Sequence, residues 1–125
     1  MPNRPTRFPR RTLAVMLAAF ACRPGEASAH AILMDSQPPI GGKVVTGRIT
    51  ARLRFNSRID RARSAFTLTR PDKTKVVVPI DPDGPPDLLT TTLDLKPGVY
   101  VLRWQVLAVD GHVTRGDLPF TVTSP

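Results

Sequence analysis

The sequence predicts an all-β protein, a Greek-key β-sandwich or barrel of about seven short strands. Three observations predict it. From Arg48 to Phe55 apolar and polar residues alternate, the period of a strand with one buried face. The chain carries 14 prolines and holds no convincing helical period anywhere. Finally, Leu95-Lys96-Pro97-Gly98-Val99-Tyr100 has the form of a tyrosine corner, in which a Tyr at the start of a strand bonds back to the preceding crossover. That device is typical of Greek-key sandwiches.

The elements follow in order. Ala31 to Ser36 reads as a short first strand, closed by the turn-rich Gln37-Pro38-Pro39-Ile40-Gly41-Gly42. In the strand from Arg48 to Phe55, Ile49, Ala51, Leu53 and Phe55 take one face and Arg48, Thr50, Arg52 and Arg54 the other. Ala65 to Thr69 is a third strand, and Pro71-Asp72-Lys73 turns it into a fourth, Lys75 to Ile80. Asp81 to Pro86 forms an irregular loop before the strand Leu88 to Leu93. Val99 to Val109 is the longest strand and Leu118 to Thr123 closes the domain. Tyr100, Leu102 and Trp104 share a face of the long strand, and the core is the expected place for Trp104.

The first 29 residues have the three parts of a secretory signal peptide. Arg4, Arg7, Arg10 and Arg11 make a basic start, Thr12 to Cys22 is apolar, and Ala27-Ser28-Ala29 reads as the cleavage site. The apolar run is shorter than the roughly 20 residues a membrane span needs. Arg10-Arg11 raises a twin-arginine route, and Cys22 a lipoprotein cleavage that would leave His30 internal. The cut after Ala29 leaves one domain, His30 to Pro125, of an exported protein. It removes five of the 18 basic residues and one of the ten acidic ones, so the net charge falls from +8 to +4. The remaining basic residues are spread over strands rather than clustered, which argues against nucleic acid. Cys22 is the only cysteine, so the mature chain has neither a disulfide nor a thiolate ligand.

The chemistry concentrates in the two histidines, His30 and His112. An N-terminal His30 offers a metal its α-amine and its imidazole. Asp110-Gly111-His112 stands where the long strand ends, and Gly111 permits a tight turn with positive φ that brings Asp110 and His112 together. The resulting N,N,N,O set suits Cu(II). It lacks the Cys of a blue-copper transfer site, which points to holding or delivering copper rather than to electron transfer.

His30-Ala31, Ser36-Gln37-Pro38-Pro39-Ile40-Gly41 and Leu53-Arg54-Phe55 are similar to segments of the CopC copper-resistance proteins. So is the run from Pro97-Gly98-Val99-Tyr100 through Trp104 to Asp110-Gly111-His112, followed by Gly116 and Phe120-Thr121-Val122. This resemblance covers essentially the whole mature chain. It implies a periplasmic Cu(II)-binding sandwich of cupredoxin-like, immunoglobulin-like topology. The implied ligands are the amine and imidazole of His30, the imidazole of His112 and the carboxylate of Asp110. An inner-membrane CopD-type copper transporter is the implied partner, and a monomer or weak dimer the expected state.

Three departures stand out. Met34 is the only methionine after Ala29, so a thioether Cu(I) site cannot be assembled. Ile32 stands where the family often has His, and Asn56-Ser57-Arg58 where an acidic residue is common, which would remove support around the metal. Two other readings fit parts of the pattern. A metal-free interaction module would treat both histidines as incidental. A copper brace like that of lytic polysaccharide monooxygenases would use His30 and His112 for oxidation, but the mature chain offers few aromatics for a flat polymer. Arg48, Arg52 and Arg54, followed by Arg58, Arg61 and Arg63, form either a solvated face or a docking patch for that transporter or anionic lipid.

Overall fold

The computed structural model describes residues 31–125. Eight strands occur among them: β1 (Leu33–Gln37), β2 (Gly42–Val45), β3 (Gly47–Phe55), β4 (Ala65–Thr69), β5 (Lys75–Val78), β6 (Leu88–Leu95), β7 (Gly98–Leu107) and β8 (Val113–Thr123). They form two sheets, β1-β3-β6 and β2-β8-β7-β4-β5. Only β2 runs parallel to its neighbour, β8; the other pairs are antiparallel. The predicted sandwich is therefore present.

The core lies between the sheets. Ile49, Ala51, Leu53 and Phe55 of β3 face Phe66, Leu68, Leu102, Trp104, Val106, Leu118 and Phe120 of the larger sheet, and all are buried. One ring contact joins the layers, Phe55 meeting Trp104 edge-on at 5.2 Å; a second, Tyr100 stacked on Phe120 at 5.7 Å, lies between register partners within the larger sheet. The tyrosine corner is formed, with Tyr100 Oη donating to the Lys96 carbonyl at 2.7 Å. It fixes the crossover into β7, the strand that leads to the candidate site.

Two elements differ from the sequence expectation. β2 lies beyond the predicted turn, where only a four-residue edge strand with half-buried Gly42 and Val44 is present. Its pairing is remote: Gly41 N–H donates to Pro119 O at 2.7 Å and Thr46 N–H to Thr123 O at 2.8 Å. β8 starts at Val113 rather than Leu118, where its ladder with β7 begins, and its 11 residues make it, not the 10-residue β7, the longest described strand; no residue of β8 before Leu118 is buried, so the apolar signal is missing there. Gly116 explains part of that silence. It sits opposite Trp104 in the ladder, and a Cβ on it would come within 2.7 Å of the indole Cε2, so the ring occupies the space of a side chain.

After β3 the chain passes through Ile59 and a 3-10 turn, Arg61–Arg63, whose start is capped by Asp60 Oδ1 accepting from Arg63 N–H at 3.2 Å. The Arg61 guanidinium donates to the carbonyls of Pro85 (2.8 Å) and Leu88 (3.0 Å) and so ties down the proline-rich loop before β6.

Candidate metal centre

β7 ends at Leu107, and the chain reverses over Ala108 to His112 before β8. Ala108 is buried and anchors the turn: its N–H donates to His112 O at 2.9 Å, and its carbonyl accepts from Gly111 N–H at 2.9 Å. Gly111 has φ of +96°, a conformation that favours glycine. The predicted tight turn is thus formed in the predicted way.

The turn brings Asp110 and His112 together. Asp110 Oδ1 accepts the His112 backbone N–H at 3.0 Å, the side-chain-to-backbone bond of an Asx turn. Its Oδ2 lies 3.3 Å from His112 Nδ1. One carboxylate therefore holds both the backbone and the ring of the histidine, which limits the ring's orientation. The side chains stay open to solvent, 51% exposed for His112 and 37% for Asp110. Among the described residues no three His, Cys, Asp or Glu side chains gather into a metal-binding group. Asp110 and His112 are a pair that needs donors from elsewhere. His30, the third residue of the expected set, lies outside the described residues, as do the signal segment and Cys22.

The chain that follows His30 is nevertheless held firmly. Ala31 is only 1% exposed and belongs to the core. Ile32 N–H donates to Asn56 Oδ1 at 2.8 Å, and Ile32 O accepts from Asn56 N–H at 3.0 Å. Two residues along, Arg58 O accepts from Val109 N–H at 3.2 Å. Ile59 then bridges Ala108, and Asp60 N–H donates to Leu107 O at 2.8 Å. The segment 56–60 therefore joins the start of β1, in the smaller sheet, to the Asp110–His112 turn, in the larger one. Two residues of extended chain span roughly 7 Å.

The sequence marks Asn56 only as a departure from an acidic residue, whereas in the fold it grips the chain at Ile32, just ahead of β1. A polar residue directly after a buried strand end was the available signal. Ser57 Oγ is also buried, with no hydrogen-bond partner among the described residues. Met34 is exposed, in keeping with a residue outside any thioether cluster.

The arginines divide by role. Arg48, Arg52 and Arg54 are exposed, as the alternation predicts. Arg54 Nε pairs with Asp35 at 3.3 Å and Arg48 stands opposite Asp94, so that face carries both signs. Arg63 lies 3.8 Å from Asp60, and Arg61 is committed to backbone carbonyls. No helix among the described residues is long and apolar enough to cross a membrane.

Comparison with known proteins places this geometry. The CopC domain family model matches residues 33–123. Protein YobA of Escherichia coli strain K12 is 30% identical over 98 residues, covering 75% of this chain and 79% of its own. Copper resistance protein C of Xanthomonas campestris pv. juglandis is 28% identical over 117 residues, covering 86% and 91%. The crystal structure of CopC from Methylosinus trichosporium OB3b superimposes with a TM-score of 0.70 at 29% identity, over 76% of this chain and 95% of that one. PcoC, a copper resistance protein from Escherichia coli, shares the fold with a TM-score of 0.63 at 22% identity, over 74% and 99%. The match of the family model across both sheets shows that this chain belongs to the CopC domain family.

Proposed function

We propose that this chain is a periplasmic copper-binding protein, not an enzyme, that holds Cu(II) for copper resistance or homeostasis and for delivery to an inner-membrane CopD-type transporter. The ligands are the α-amine and imidazole of His30, the imidazole of His112 and the carboxylate of Asp110. The observation that carries this reading is the convergence of Asp110 and His112 on the Gly111 turn. The name of one similar protein, copper resistance protein C, supports the choice of metal.

Three nitrogens and one carboxylate oxygen match the tetragonal preference of Cu(II). One soft donor, Met34, is too few for a Cu(I) site, so the metal is held oxidised. Both described ligands stand at the surface, where cargo can be exchanged with a partner. Binding requires an unprotonated amine and unprotonated imidazoles, so affinity falls as pH drops. The amine responds first, because an α-amine ordinarily titrates near pH 7.7–8.0.

The test is a competitive Cu(II) titration on two samples that both begin at His30, one with a free α-amine and one with that amine acetylated. A 1:1 site in the first that is lost or greatly weakened in the second supports the reading. Equal binding in both removes the amine from the ligand set and overturns it.

A further inference from the structure

We propose that Asn56 is a positioning residue for the N-terminal half of the copper site, an inference that rests on the ligand set proposed above. Its basis is the way the β1–β3 ladder ends. The last regular register partners there are Leu33 and Phe55. In an antiparallel ladder a hydrogen-bonded pair exchanges two N–H···O bonds through its backbones. One residue further on, Ile32 and Asn56 exchange two such bonds, but Asn56 Oδ1 takes the place of its own backbone carbonyl. The chain bends at Asn56 and Ser57, so that carbonyl does not serve the ladder, and the side chain extends the pairing by one residue.

That extra residue matters because of what precedes it. The backbone of His30 is two residues from the clamped Ile32, at most about 7 Å of chain. Below the clamp, the segment 56–60 is tied to Val109, Ala108 and Leu107, the stem of the Asp110–His112 turn. Asn56 therefore sets the chain at Ile32 and the turn in one backbone frame, across the gap between two sheets. Without its side chain the Asn56 N–H bond to Ile32 O persists, and only the hold on the Ile32 N–H is lost. The strand start then frays, and the amine and imidazole of His30 must be ordered at the moment copper binds.

The contact is exposed, so the effect is graded. The net value of such a hydrogen bond corresponds to a loss of about threefold to tenfold in Cu(II) affinity. The experiment uses the chain beginning at His30, as wild type, Asn56→Ala and Asn56→Asp. Three readouts are taken: competitive Cu(II) titration, amide hydrogen exchange at Ile32 in the metal-free protein, and nitrogen hyperfine structure in the Cu(II) EPR spectrum. Asn56→Ala is expected to weaken binding threefold to tenfold and to speed exchange at Ile32 by a similar factor, with the thermal midpoint nearly unchanged. Asn56→Asp keeps the acceptor oxygen and is expected to restore slow exchange and wild-type or tighter binding. Unchanged exchange at Ile32 in Asn56→Ala, or unchanged affinity despite faster exchange, overturns the role of Asn56. Failure of the wild type itself to bind through its amine, seen with the amine-acetylated sample, overturns the ligand set instead, so the two failures are distinguishable.

Discussion

Replacing Asp110 by Asn separates the charge of the carboxylate from its geometry. In the folded protein Asp110 makes two distinct contacts, Oδ1 to the His112 backbone N–H at 3.0 Å and Oδ2 to the ring Nδ1 at 3.3 Å. An Asn side chain is nearly the same shape, and its carbonyl oxygen can still accept the backbone N–H. Asn also suits the Asx turn that Gly111 completes. Because the pair is well exposed, the stability change should stay within about 0.5 kcal/mol, a thermal shift of no more than about 2–4 °C for a domain of this size. The metal responds differently. Asn presents no negative charge to Cu(II), and its amide nitrogen cannot accept from a protonated ring nitrogen. Loss of a carboxylate that orients a ligating histidine typically costs 10- to 100-fold in metal affinity, and loss of a direct ligand at least as much. Asp110→Asn should thus weaken Cu(II) 10-fold or more in a competition titration while circular dichroism melts stay almost superimposable. Asp110→Ala, which also removes the acceptor for His112 N–H, should add about 1 kcal/mol of destabilisation. Affinity within twofold of wild type in Asp110→Asn would refute the role of the carboxylate. A large drop in melting temperature in that variant would show that the charge serves the turn rather than the metal.

Other perturbations test the frame around the site. Gly116→Ala places a Cβ within 2.7 Å of Trp104 Cε2, in an indole that is 7% exposed and backed by Phe55. Overpacking of this kind costs about 1–3 kcal/mol, so the thermal midpoint should fall by at least about 4 °C, with a change in near-ultraviolet circular dichroism. Tyr100→Phe removes the hydrogen bond to the Lys96 carbonyl and should lower stability by about 1 kcal/mol in urea unfolding, with no change in the slope of the transition. Asp72 is held below its ordinary carboxylate range, first by the Thr74 hydroxyl at 2.7 Å and then by the Thr74 N–H at 3.0 Å. A depressed folded value stabilises the turn above the ordinary pKa of 3.8 and is lost as pH falls through the folded value, so Thr74→Ala should move the Asp72 titration upward in an NMR pH series.

How much of this was legible in the sequence depends on where each signal resided. β3 and β7 were plain because a buried face leaves a period-two pattern, and Tyr100 announced its corner through the Pro97-Gly98 that precedes it. The turn at Asp110 was legible for the same local reason, since Gly111 supplies the conformation that lets the flanking side chains meet. β2 is silent because its pairing depends on a distant strand, β8, and the first half of β8 is silent because none of its residues is buried, although its partner β7 is adjacent in the chain. Asn56 was read for its missing charge. Its contribution is a contact with a residue 24 positions away, which no local pattern encodes. The arginines of β3 were placed on the right face, but Asp35 and Asp94 beside them could be located only by register.

The topology gives copper a structural consequence that separates the proposed site from adventitious binding. β1 belongs to the smaller sheet, and the Asp110–His112 turn connects two strands of the larger one. A metal held by His30 together with that turn therefore ties the sheets to each other at one end of the sandwich. Under the proposed ligand set the metal binds the folded chain alone, so binding adds stability by mass action. At free Cu(II) of 100 times Kd the gain is about 2.7 kcal/mol, which corresponds to roughly 10–20 °C in melting temperature for a domain of this length. A tenfold weaker site in Asn56→Ala would forgo about 1.4 kcal/mol of that gain at the same free copper. The melt should be run on the chain beginning at His30 with its α-amine free and with that amine acetylated. Stabilisation confined to the first sample is the expected result. Equal stabilisation of both would overturn the proposed ligand set, because an acetylated amine no longer offers a metal its lone pair.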